Sequence, residues 1–428
     1  MRVGDKFFIG INLFLMLKST CLFGLIVLAC FLSGFGDLRN LITPLGYWLA
    51  WLGWALTVVT VIRPWLQQYS QFLSPFPRLV YLSFFILIAG MLLAGLSASQ
   101  PTALYQALKV AVIAGLMGVT LLLIRQVRPE AVVDAIAVLL VAVLLSFWLS
   151  KGLGVPWWVR LGDGREGMEI AQPGVMWKPA VLFLPLVLAD VLARPSLWWR
   201  HGCLIGISAY LLIVDGSRTG LLLFAGMIFV MAFLSLMLHW RGISLSLKWL
   251  LIAALSFGGI NGVHSLLPGA SPDVPNEIAI APEPLALQRL QEGDASRLSL
   301  LKEGWRQSVD CLPAGCGFGS TAAVSHGIIM PVHNAYLAAL GDFGLLGMIG
   351  MLGFVLAAAW PLCPWLRRAR QVGFGALDAR SWYGLGACAG ALAWCATLML
   401  HTFSSEMSEW GYACLLLAMA WVYCLEQR

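Results

Sequence analysis

Pro-Val-His-Asn-Ala-Tyr-Leu-Ala-Ala-Leu-Gly-Asp-Phe-Gly-Leu-Leu-Gly, residues 331–347, starts with a proline and two polar side chains and continues as a long apolar run. This order of residues is typical of the start of a membrane helix. We therefore predict a helix over residues 333–361, with His333 at the membrane–water boundary. At 100° per residue, Gly344 and Gly347 fall within about 40° of His333. This shared face has two explanations. Either the glycines pack closely against another helix and the histidine is only solvated, or the helix holds the histidine in place for a chemical reaction.

The composition is that of a polytopic membrane protein. Of the 428 residues, 60% are hydrophobic and 11% are charged, whereas soluble domains carry about 25% charged residues. Since about 20 apolar residues cross a bilayer, we predict an all-α integral membrane protein. The windows near 16–36, 46–63, 78–97, 103–124, 131–150, 174–194, 200–215, 219–239, 247–267, 333–361, 383–402 and 408–425 give twelve helices. The net charge of +6 is spread over short loops, so we predict no nucleic-acid partner.

The distribution of Lys and Arg predicts the orientation of these helices. If the N-terminus is inside, most basic residues, including the run at 367–370, fall on the inner side. Both termini are then cytoplasmic, and His333 lies on the outer side. Arg2 and Lys6 precede the first apolar run without a small-residue cleavage site, which favours an uncleaved anchor.

A long outer loop divides the chain into three parts. Residues 1–267 contain the first nine helices and an outer loop at 151–173, residues 268–332 form the long loop, and residues 333–428 contain the last three helices. Loops of this length are usually functional. Within the long loop, apolar residues recur at helical spacing and predict an amphipathic helix, lying on the membrane or across the bundle. They are Leu298, Leu301, Trp305 and Val309.

Two of the ten cysteines differ from the rest. Eight lie in or beside apolar segments, where cysteine is an ordinary packing residue. Cys311 and Cys316 both lie in the long loop, separated by four residues. A local disulfide forms there if the loop faces an oxidising compartment, and free thiols are expected otherwise.

A short turn, Asp215-Gly-Ser-Arg218, joins two predicted helices on the outer side. Ser217 can cap the following helix, whose free N–H groups favour an anion, and Arg218 can bind a phosphate through two hydrogen bonds. Alternatively, Arg218 pairs with Asp215 or reaches lipid phosphates. The outer loops add further arginines: Arg160, Arg165, Arg289 and Arg297. Several arginines near one histidine indicate phosphate chemistry at a membrane surface.

Metal and hydrolase chemistry find little support. Glu292-Gly-Asp294 is the only acidic pair at that spacing, so we predict no metal and no cofactor. Neither a nucleophile elbow nor a Walker loop is present. His326 is the alternative to His333 as a functional histidine, but a helix start holds a side chain more firmly than a flexible loop. The sequence suggests no role for two charges inside helices, Lys109 and Lys178.

Taken together, these motifs resemble those of the bacterial O-antigen ligases, in the superfamily shared with O-antigen polymerases and pilin oligosaccharyltransferases. His-Asn at 333–334, followed after nine residues by Gly-x-x-Gly at 344–347, is similar to the ligase signature. The Arg-x-x-x-Leu element at 297–301 resembles the other ligase loop motif. The turn at 217–220 resembles an Arg-bearing turn of the superfamily, and the twelve-helix layout agrees over nearly the whole chain.

This resemblance implies an inverting membrane glycosyltransferase of GT-C-like architecture. Its donor would be an undecaprenyl-diphosphate-linked glycan and its acceptor a lipid A–core sugar hydroxyl, at the periplasmic side of the bacterial inner membrane. The family is described as needing neither metal nor ATP. His333 would be the general base, and the expected substrate-binding residues are Arg218, Arg297, Asn334, Arg165, Arg160 and Arg289.

Three alternatives stay open. Polymerases are associated with an Arg, ten residues, Gly pattern, which is missing after Arg160 and Arg165 but matched by Arg306 and Gly317. A pilin or protein oligosaccharyltransferase is the second alternative. A permease is the third, because twelve helices are common among transporters. Transporters often bury ionisable residues at mid-membrane, whereas the polar candidate residues of this chain are predicted to lie at one face.

Overall fold

The computed structural model describes residues 48–49, 51–53, 55–56, 75–125, 127–153, 158–161, 164–168, 174–238, 240–267, 295–325 and 328–425. These residues are mainly helical, with two short antiparallel hairpins. The predicted helix at 16–36, most of the one at 46–63 and the first part of the long loop, with Glu292 and Asp294, lie outside the described residues.

The first group of helices comprises α1 (Pro75–Ser97), α2 (Pro101–Ile124), α3 (Pro129–Leu153), α4 (Trp177–Leu182), α5 (Leu184–Ala193), α6 (Trp198–Asp215), α7 (Arg218–Leu238) and α8 (Trp240–Leu266). The second group comprises α9 (Ala295–Asp310), α10 (Ala335–Ala359), α11 (Leu362–Val372), α12 (Ala379–Thr397) and α13 (Met407–Leu425). The hairpins pair β1 (Trp158–Arg160) with β2 (Glu166–Met168), and β3 (Ala322–Ser325) with β4 (Ile328–Pro331). Both hairpins fall in segments that the sequence analysis treats as loops.

Among the described residues, five helical segments are long and apolar enough to cross a membrane. They are Arg78–Ser97, Pro101–Ile124, Pro129–Leu153, Pro195–Asp215 and Ala335–Val372. Three shorter apolar helices accompany them: Arg218–Val230, Leu250–Leu266 and Trp410–Cys424. The fold is therefore that of a helical membrane protein, and the twelve-span layout stays a prediction.

Most predicted helices between residues 78 and 425 have a matching observed helix, but the one at 174–194 does not form as a single element. It is divided into α4 and α5 at Phe183. The cause is Pro185, which has no backbone N–H to donate to the preceding turn and whose ring obstructs a continuous helix. The arginine run at 367–370, predicted as an inner connection, lies on α11.

The predicted helix at 333–361 starts later than expected and is kinked. Its N-cap is Asn334, whose side-chain oxygen accepts hydrogen bonds from the N–H groups of Tyr336 at 3.1 Å and Leu337 at 3.0 Å. His333 thus lies before the helix, and Gly344 interrupts it with φ 69° and ψ −160°. The prediction that His333 shares a helical face with the glycines is therefore wrong, because no regular helix joins them.

The glycines of α10 nevertheless mark close contacts. A Cβ added to Gly90 of α1 would lie 2.7 Å from the backbone nitrogen of Gly347, so the two helices meet backbone to backbone. A Cβ on Gly344 would clash with the carbonyl oxygen of Pro313, in the turn after α9. The kink in α10 therefore makes room for the segment that follows α9.

Helix α9 forms where the apolar spacing predicts it, and another face of the helix packs on the bundle. Leu300 is buried, Gly304 lies against Val332, and the Ser308 hydroxyl donates to the Leu337 carbonyl at 3.0 Å. A glycine at position 304 permits this close approach. The predicted apolar face is exposed, at Leu298, Leu301, Trp305 and Val309, which agrees better with a helix lying on the membrane than with one packed by this face across the bundle.

Lys109, a charge that the sequence places inside a helix, is paired within the bundle. Its ammonium lies 2.5 Å from the Glu406 carboxylate, just before α13. It also lies 4.9 Å from the ring centroid of Trp51 and 5.3 Å from that of Tyr105. The Glu406 carboxylate and the aromatic faces offset part of the cost of burying the lysine charge in an apolar bundle. Lys178 is buried in α4.

Candidate functional site

The backbone on both sides of His333 is fixed by hydrogen bonds. The Val332 N–H donates to the Thr321 carbonyl at 3.1 Å, and the Ala335 N–H donates to the Leu398 carbonyl, just after α12, at 2.8 Å. The Val332 side chain is buried against α9. His333 is therefore held by α9 and α12 as well as by the start of α10, which limits where its ring can point.

The His333 ring is half-exposed, and its Nδ1 lies 3.1 Å from the Pro331 carbonyl oxygen. In the neutral tautomer that satisfies this carbonyl, Nδ1 carries the proton and donates it. Nε2 then presents a lone pair and can accept a proton from a bound hydroxyl. This geometry suits a general base.

Asp342, on α10, anchors the segment between α9 and β3. Its carboxylate accepts hydrogen bonds from the N–H groups of Gly319 and Thr321, both at 2.8 Å, and from the hydroxyls of Ser320 at 3.1 Å and Thr321 at 2.7 Å. These donors offset part of the cost of burying the carboxylate. Thr321 in turn accepts the Val332 hydrogen bond, so Asp342 contributes to fixing His333.

A disulfide joins Cys311 and Cys316 at the start of this anchored segment. The Cys316 N–H donates to the Gly341 carbonyl at 2.9 Å, which ties the disulfide to α10. The structure thus confirms the oxidised alternative. The disulfide closes the turn that occupies the kink in α10.

Arg165, predicted to bind substrate, is bound to the turn that precedes α7. Its Nε donates to the Asp215 backbone carbonyl at 2.8 Å, and its Nη2 lies 3.4 Å from the Asp215 carboxylate. That carboxylate is fully buried and also accepts the N–H groups of Gly174 at 2.9 Å and Trp177 at 3.4 Å. Arg165 therefore lies against the turn that carries Arg218.

Arg218 is the first residue of α7 and is half-exposed. Ser217 caps the helix, as predicted, because its hydroxyl accepts the Gly220 N–H at 3.1 Å. Gly216 ends α6 with φ 68°, a left-handed conformation that glycine adopts without strain. Arg218 thus adds a full positive charge to the positive end of a helix, an arrangement that favours an anion.

A chain of contacts connects this turn to the His333 segment. Trp177 packs against Gly220, where an added Cβ would lie 2.9 Å from the indole ring. The same indole stacks on His401 at a centroid distance of 5.8 Å. His401 lies three residues after Leu398, whose carbonyl binds the start of α10. The His333 segment and the Arg218 turn therefore lie at the same end of the bundle.

Four predicted site residues remain: Arg160, Arg297, Arg289 and Asn334. Arg160 is exposed at the end of β1, opposite Glu166 of β2. Arg297 lies in the first turn of α9. Arg289 and the alternative histidine, His326, are outside the described residues. Asn334 caps α10 through its oxygen, which leaves its amide group for the predicted substrate contact.

Sequence reasoning missed a polar cluster beside the β1–β2 hairpin. The Lys151 ammonium lies 3.1 Å from a Glu166 carboxylate oxygen and 2.6 Å from Nε2 of His264. Nδ1 of His264 lies 2.5 Å from the Tyr210 hydroxyl. Burial alone would raise the pKa of Glu166, but the proximity of His264 and the charge of Lys151 hold that pKa below its usual value. Lys151 and His264 both end predicted helices on the outer side, but no spacing pairs them.

The end of the bundle that carries His333 therefore combines a proton acceptor with fixed positive charge. A histidine with an available Nε2 can deprotonate a hydroxyl, and a guanidinium at a helix start can bind a phosphate group. Within the described part of the chain, no group of three or more His, Cys, Asp or Glu side chains could hold a metal ion.

Comparison with known proteins adds no family to these observations. No protein-family model matches the sequence, and no curated protein is similar enough to count as a match. The case for a function therefore rests on the residues of this end of the bundle.

Proposed function

We propose that this protein is an O-antigen ligase. It transfers a glycan from an undecaprenyl-diphosphate carrier to a sugar hydroxyl of lipid A–core in lipopolysaccharide biosynthesis. The observation that carries the proposal is the chain of contacts between the His333 segment and the Arg218 turn, through Leu398, His401 and Trp177. These contacts bring a candidate general base and a candidate diphosphate-binding arginine to one end of the bundle.

The proposed reaction is a single displacement at the anomeric carbon of the donor. Nε2 of His333 accepts the proton of the acceptor hydroxyl as its oxygen attacks. The bond between the anomeric carbon and the diphosphate oxygen breaks, and that oxygen keeps the electron pair. Arg218 and Arg297 stabilise the charge that develops on the diphosphate. Because the acceptor oxygen attacks from the side opposite the departing diphosphate, the configuration at the anomeric carbon is inverted.

The proposed location follows from the distribution of basic residues. His333 lies on the periplasmic side of the bacterial inner membrane, and both termini lie in the cytoplasm. The bond to the diphosphate already stores the energy for transfer, so the reaction needs no ATP. The two arginines take the part that a metal ion plays in other phosphate sites, and we propose no cofactor.

A reconstituted assay tests the proposal. Purified protein receives a polyprenyl-diphosphate glycan together with either lipid A–core or a second copy of the donor as acceptor. A ligase glycosylates lipid A–core, whereas a polymerase extends the second donor. His333→Ala is expected to lower the rate by about 10²–10⁴-fold, the usual contribution of a general base. Arg370→Ala, an exposed arginine in the last turn of α11, is the matched control.

A near-normal rate with His333→Ala would refute the assignment. Glycosylation of a pilin or another protein would favour the oligosaccharyltransferase alternative. The spacing of Gly317 from Arg306 is weak support for a polymerase. The φ of Gly317 is 98°, so the backbone conformation by itself accounts for a glycine at this position. Movement of a solute into liposomes without any glycan transfer would favour a permease.

A further inference from the structure

Helix α11 lies at the end of the bundle opposite His333. The helix before it, α10, has 25 residues, which correspond to about 37 Å at 1.5 Å per residue. This length is enough to cross the apolar core of a bilayer, about 30 Å thick. Helix α11 starts at Leu362, three residues after α10 ends. It therefore begins at the boundary between membrane and water.

One face of α11 packs on the bundle. Trp365 and Ala369, one turn apart, are both buried. The Trp365 indole N–H donates to the Ser381 carbonyl, in the first turn of α12, at 2.9 Å. Its ring centroid lies 5.9 Å from that of Trp382. Helix α11 thus lies against the start of α12 and stays level with the membrane boundary.

The opposite side of α11 is basic. Residues 362–372 contain three arginines and no acidic residue. Arg367 and Arg370 are exposed, and Arg367 lies about 160° around the helix from Trp365. The guanidinium of Arg368 lies 3.5 Å from the carboxylate of Asp378, which is 52% exposed. Such an exposed pair contributes little to stability, so Arg368 can donate to a second anion as well.

A fourth arginine lies at the same end of the bundle. Helices α1 and α10 are antiparallel, since an added Cβ on Gly90 meets Gly347 and one on Gly350 meets Leu87. Arg78, nine residues before Leu87 and exposed, is therefore level with the end of α10. We call Arg78, Arg367, Arg368 and Arg370 the basic surface.

Exposed apolar side chains lie beside these arginines. Trp360 joins α10 to α11, Leu366 and Val372 belong to α11, and all three are exposed. An acidic protein could pair with the arginines, but an acidic surface would leave the apolar side chains uncovered. A lipid leaflet meets both needs, because acyl chains cover the apolar groups while headgroup phosphates accept from the guanidiniums.

We propose that the basic surface binds anionic phospholipids, and that α11 is the interfacial helix that selects them. Clustered basic residues beside a membrane helix attract anionic headgroups, and each arginine adds to the attraction. With His333 on the periplasmic side, these lipids belong to the cytoplasmic leaflet. The inference needs α10 to cross the membrane and does not rest on the proposed glycan transfer.

A fluorescent label on Cys363 tests the proposal. This native cysteine is exposed on α11, and in the full-length parent protein all others except the disulfide pair are replaced. The protein is placed in phosphatidylcholine vesicles that contain a small fraction of spin-labelled phosphatidylglycerol or of the matching spin-labelled phosphatidylcholine. We expect severalfold stronger quenching by the phosphatidylglycerol analogue at low salt, and a smaller difference at high salt because ions screen exposed charges.

The combined variant Arg367→Gln, Arg368→Gln and Arg370→Gln should lose this preference. Its quenching by the phosphatidylcholine analogue should equal that of the parent, which would show that α11 keeps its place. Arg306→Gln, which removes an exposed charge of α9 at the other end of the bundle, should keep the preference.

Equal quenching by the two analogues in the parent protein would overturn the proposal, and this comparison needs no substitution. A preference that survives in the combined variant would overturn it too. Absence of quenching by either analogue would place α11 away from lipid, and quenching that falls as protein concentration rises would assign the surface to a second copy of the chain. Failure of glycan transfer would not affect the test, because the readout is proximity to lipid.

Discussion

The guanidinium of Arg165 binds Asp215 twice, donating from Nε to the backbone carbonyl at 2.8 Å and approaching the carboxylate with Nη2 at 3.4 Å. The Asp215 side chain is fully buried, whereas that of Arg165 is 16% exposed. Removing one partner of a buried pair leaves an uncompensated charge. Arg165 therefore stabilises the turn that carries Arg218, whether or not it also contacts substrate.

Arg165→Ala should lower the free energy of unfolding by about 3 kcal/mol, because the buried Asp215 carboxylate loses its cation. Thermal unfolding in detergent measures the effect. Adding Asp215→Asn should recover part of the loss, since a neutral amide is less costly to bury than an unpaired charge. Arg306→Ala, whose guanidinium is exposed, is the control. Unchanged stability with weakened donor binding would instead make Arg165 a substrate ligand only.

Arg218→Lys should transfer glycan nearly as poorly as Arg218→Ala. A lysine ammonium keeps the charge but cannot form two parallel hydrogen bonds to a phosphate group. Initial rates at several donor concentrations measure the loss, with Arg306→Lys as the matched control. Substantial activity of the lysine variant would mean that charge alone is enough at this helix start.

Gly344→Ala should destabilise the kink in α10. The φ and ψ of Gly344, 69° and −160°, belong to a region that is essentially restricted to glycine, and a Cβ would also clash with Pro313. We expect a loss of at least about 1–2 kcal/mol, measured by thermal unfolding, together with reduced transfer. Gly258→Ala in α8, where a Cβ meets no atom within 4 Å, is the control. Equal behaviour of the two variants would argue against the kinked conformation.

The exposed apolar face of α9 should contact lipid. It continues into exposed Leu312, and the Leu345 N–H donates to the Pro313 carbonyl at 3.0 Å. Beyond Leu345, α10 exposes a further apolar row at helical spacing, formed by Ile349, Leu352 and Leu356. One apolar surface thus runs from α9 onto a helix that can cross a membrane, as expected of an interfacial helix.

A fluorescent label on Leu301→Cys tests this contact in vesicles that contain spin-labelled phospholipids. All native cysteines except the disulfide pair are replaced in the parent protein. Strong quenching at position 301, and weak quenching at Lys302→Cys on the neighbouring face, are the expected results. Equal quenching at the two positions would contradict the lipid contact, and protection that depends on protein concentration would indicate a second copy there.

Transfer should persist in excess EDTA, because the proposed mechanism assigns the diphosphate to arginine side chains. Rates with and without the chelator, in protein stripped of bound metal, provide the measurement. Loss of activity that a divalent ion restores would direct attention to Glu292 and Asp294.

Periodic features were the easiest to predict. The apolar windows of α1, α2 and α3 reach the length of a bilayer crossing, about 20 residues, so composition and length specify them. The Ser217 cap and the helix at α9 also follow from local patterns. The failures occurred where one residue interrupts a period: Pro185 divides α4 from α5, and Gly344 kinks α10.

The apolar spacing of α9 leaves two positions open for its apolar face, on the membrane or across the bundle. In the structure its large apolar residues are exposed, and Leu300, Gly304 and Ser308 face the bundle. Glycine and serine allow the close approach of α9 to Val332 and Leu337. In a membrane protein the largest apolar side chains need no protein partner, because lipid can cover them.

The amino-acid sequence by itself determined a helical membrane protein, the candidate base His333 and the arginine-bearing turn at 218. Composition and local spacing specify these features, since they depend on neighbouring residues in the chain. Only the tertiary structure decided that Arg165 binds Asp215, that Trp177 and His401 connect the two halves of the candidate site, and that Lys151, Glu166 and His264 form one cluster. These contacts join residues distant in the chain, and helix packing brings them together.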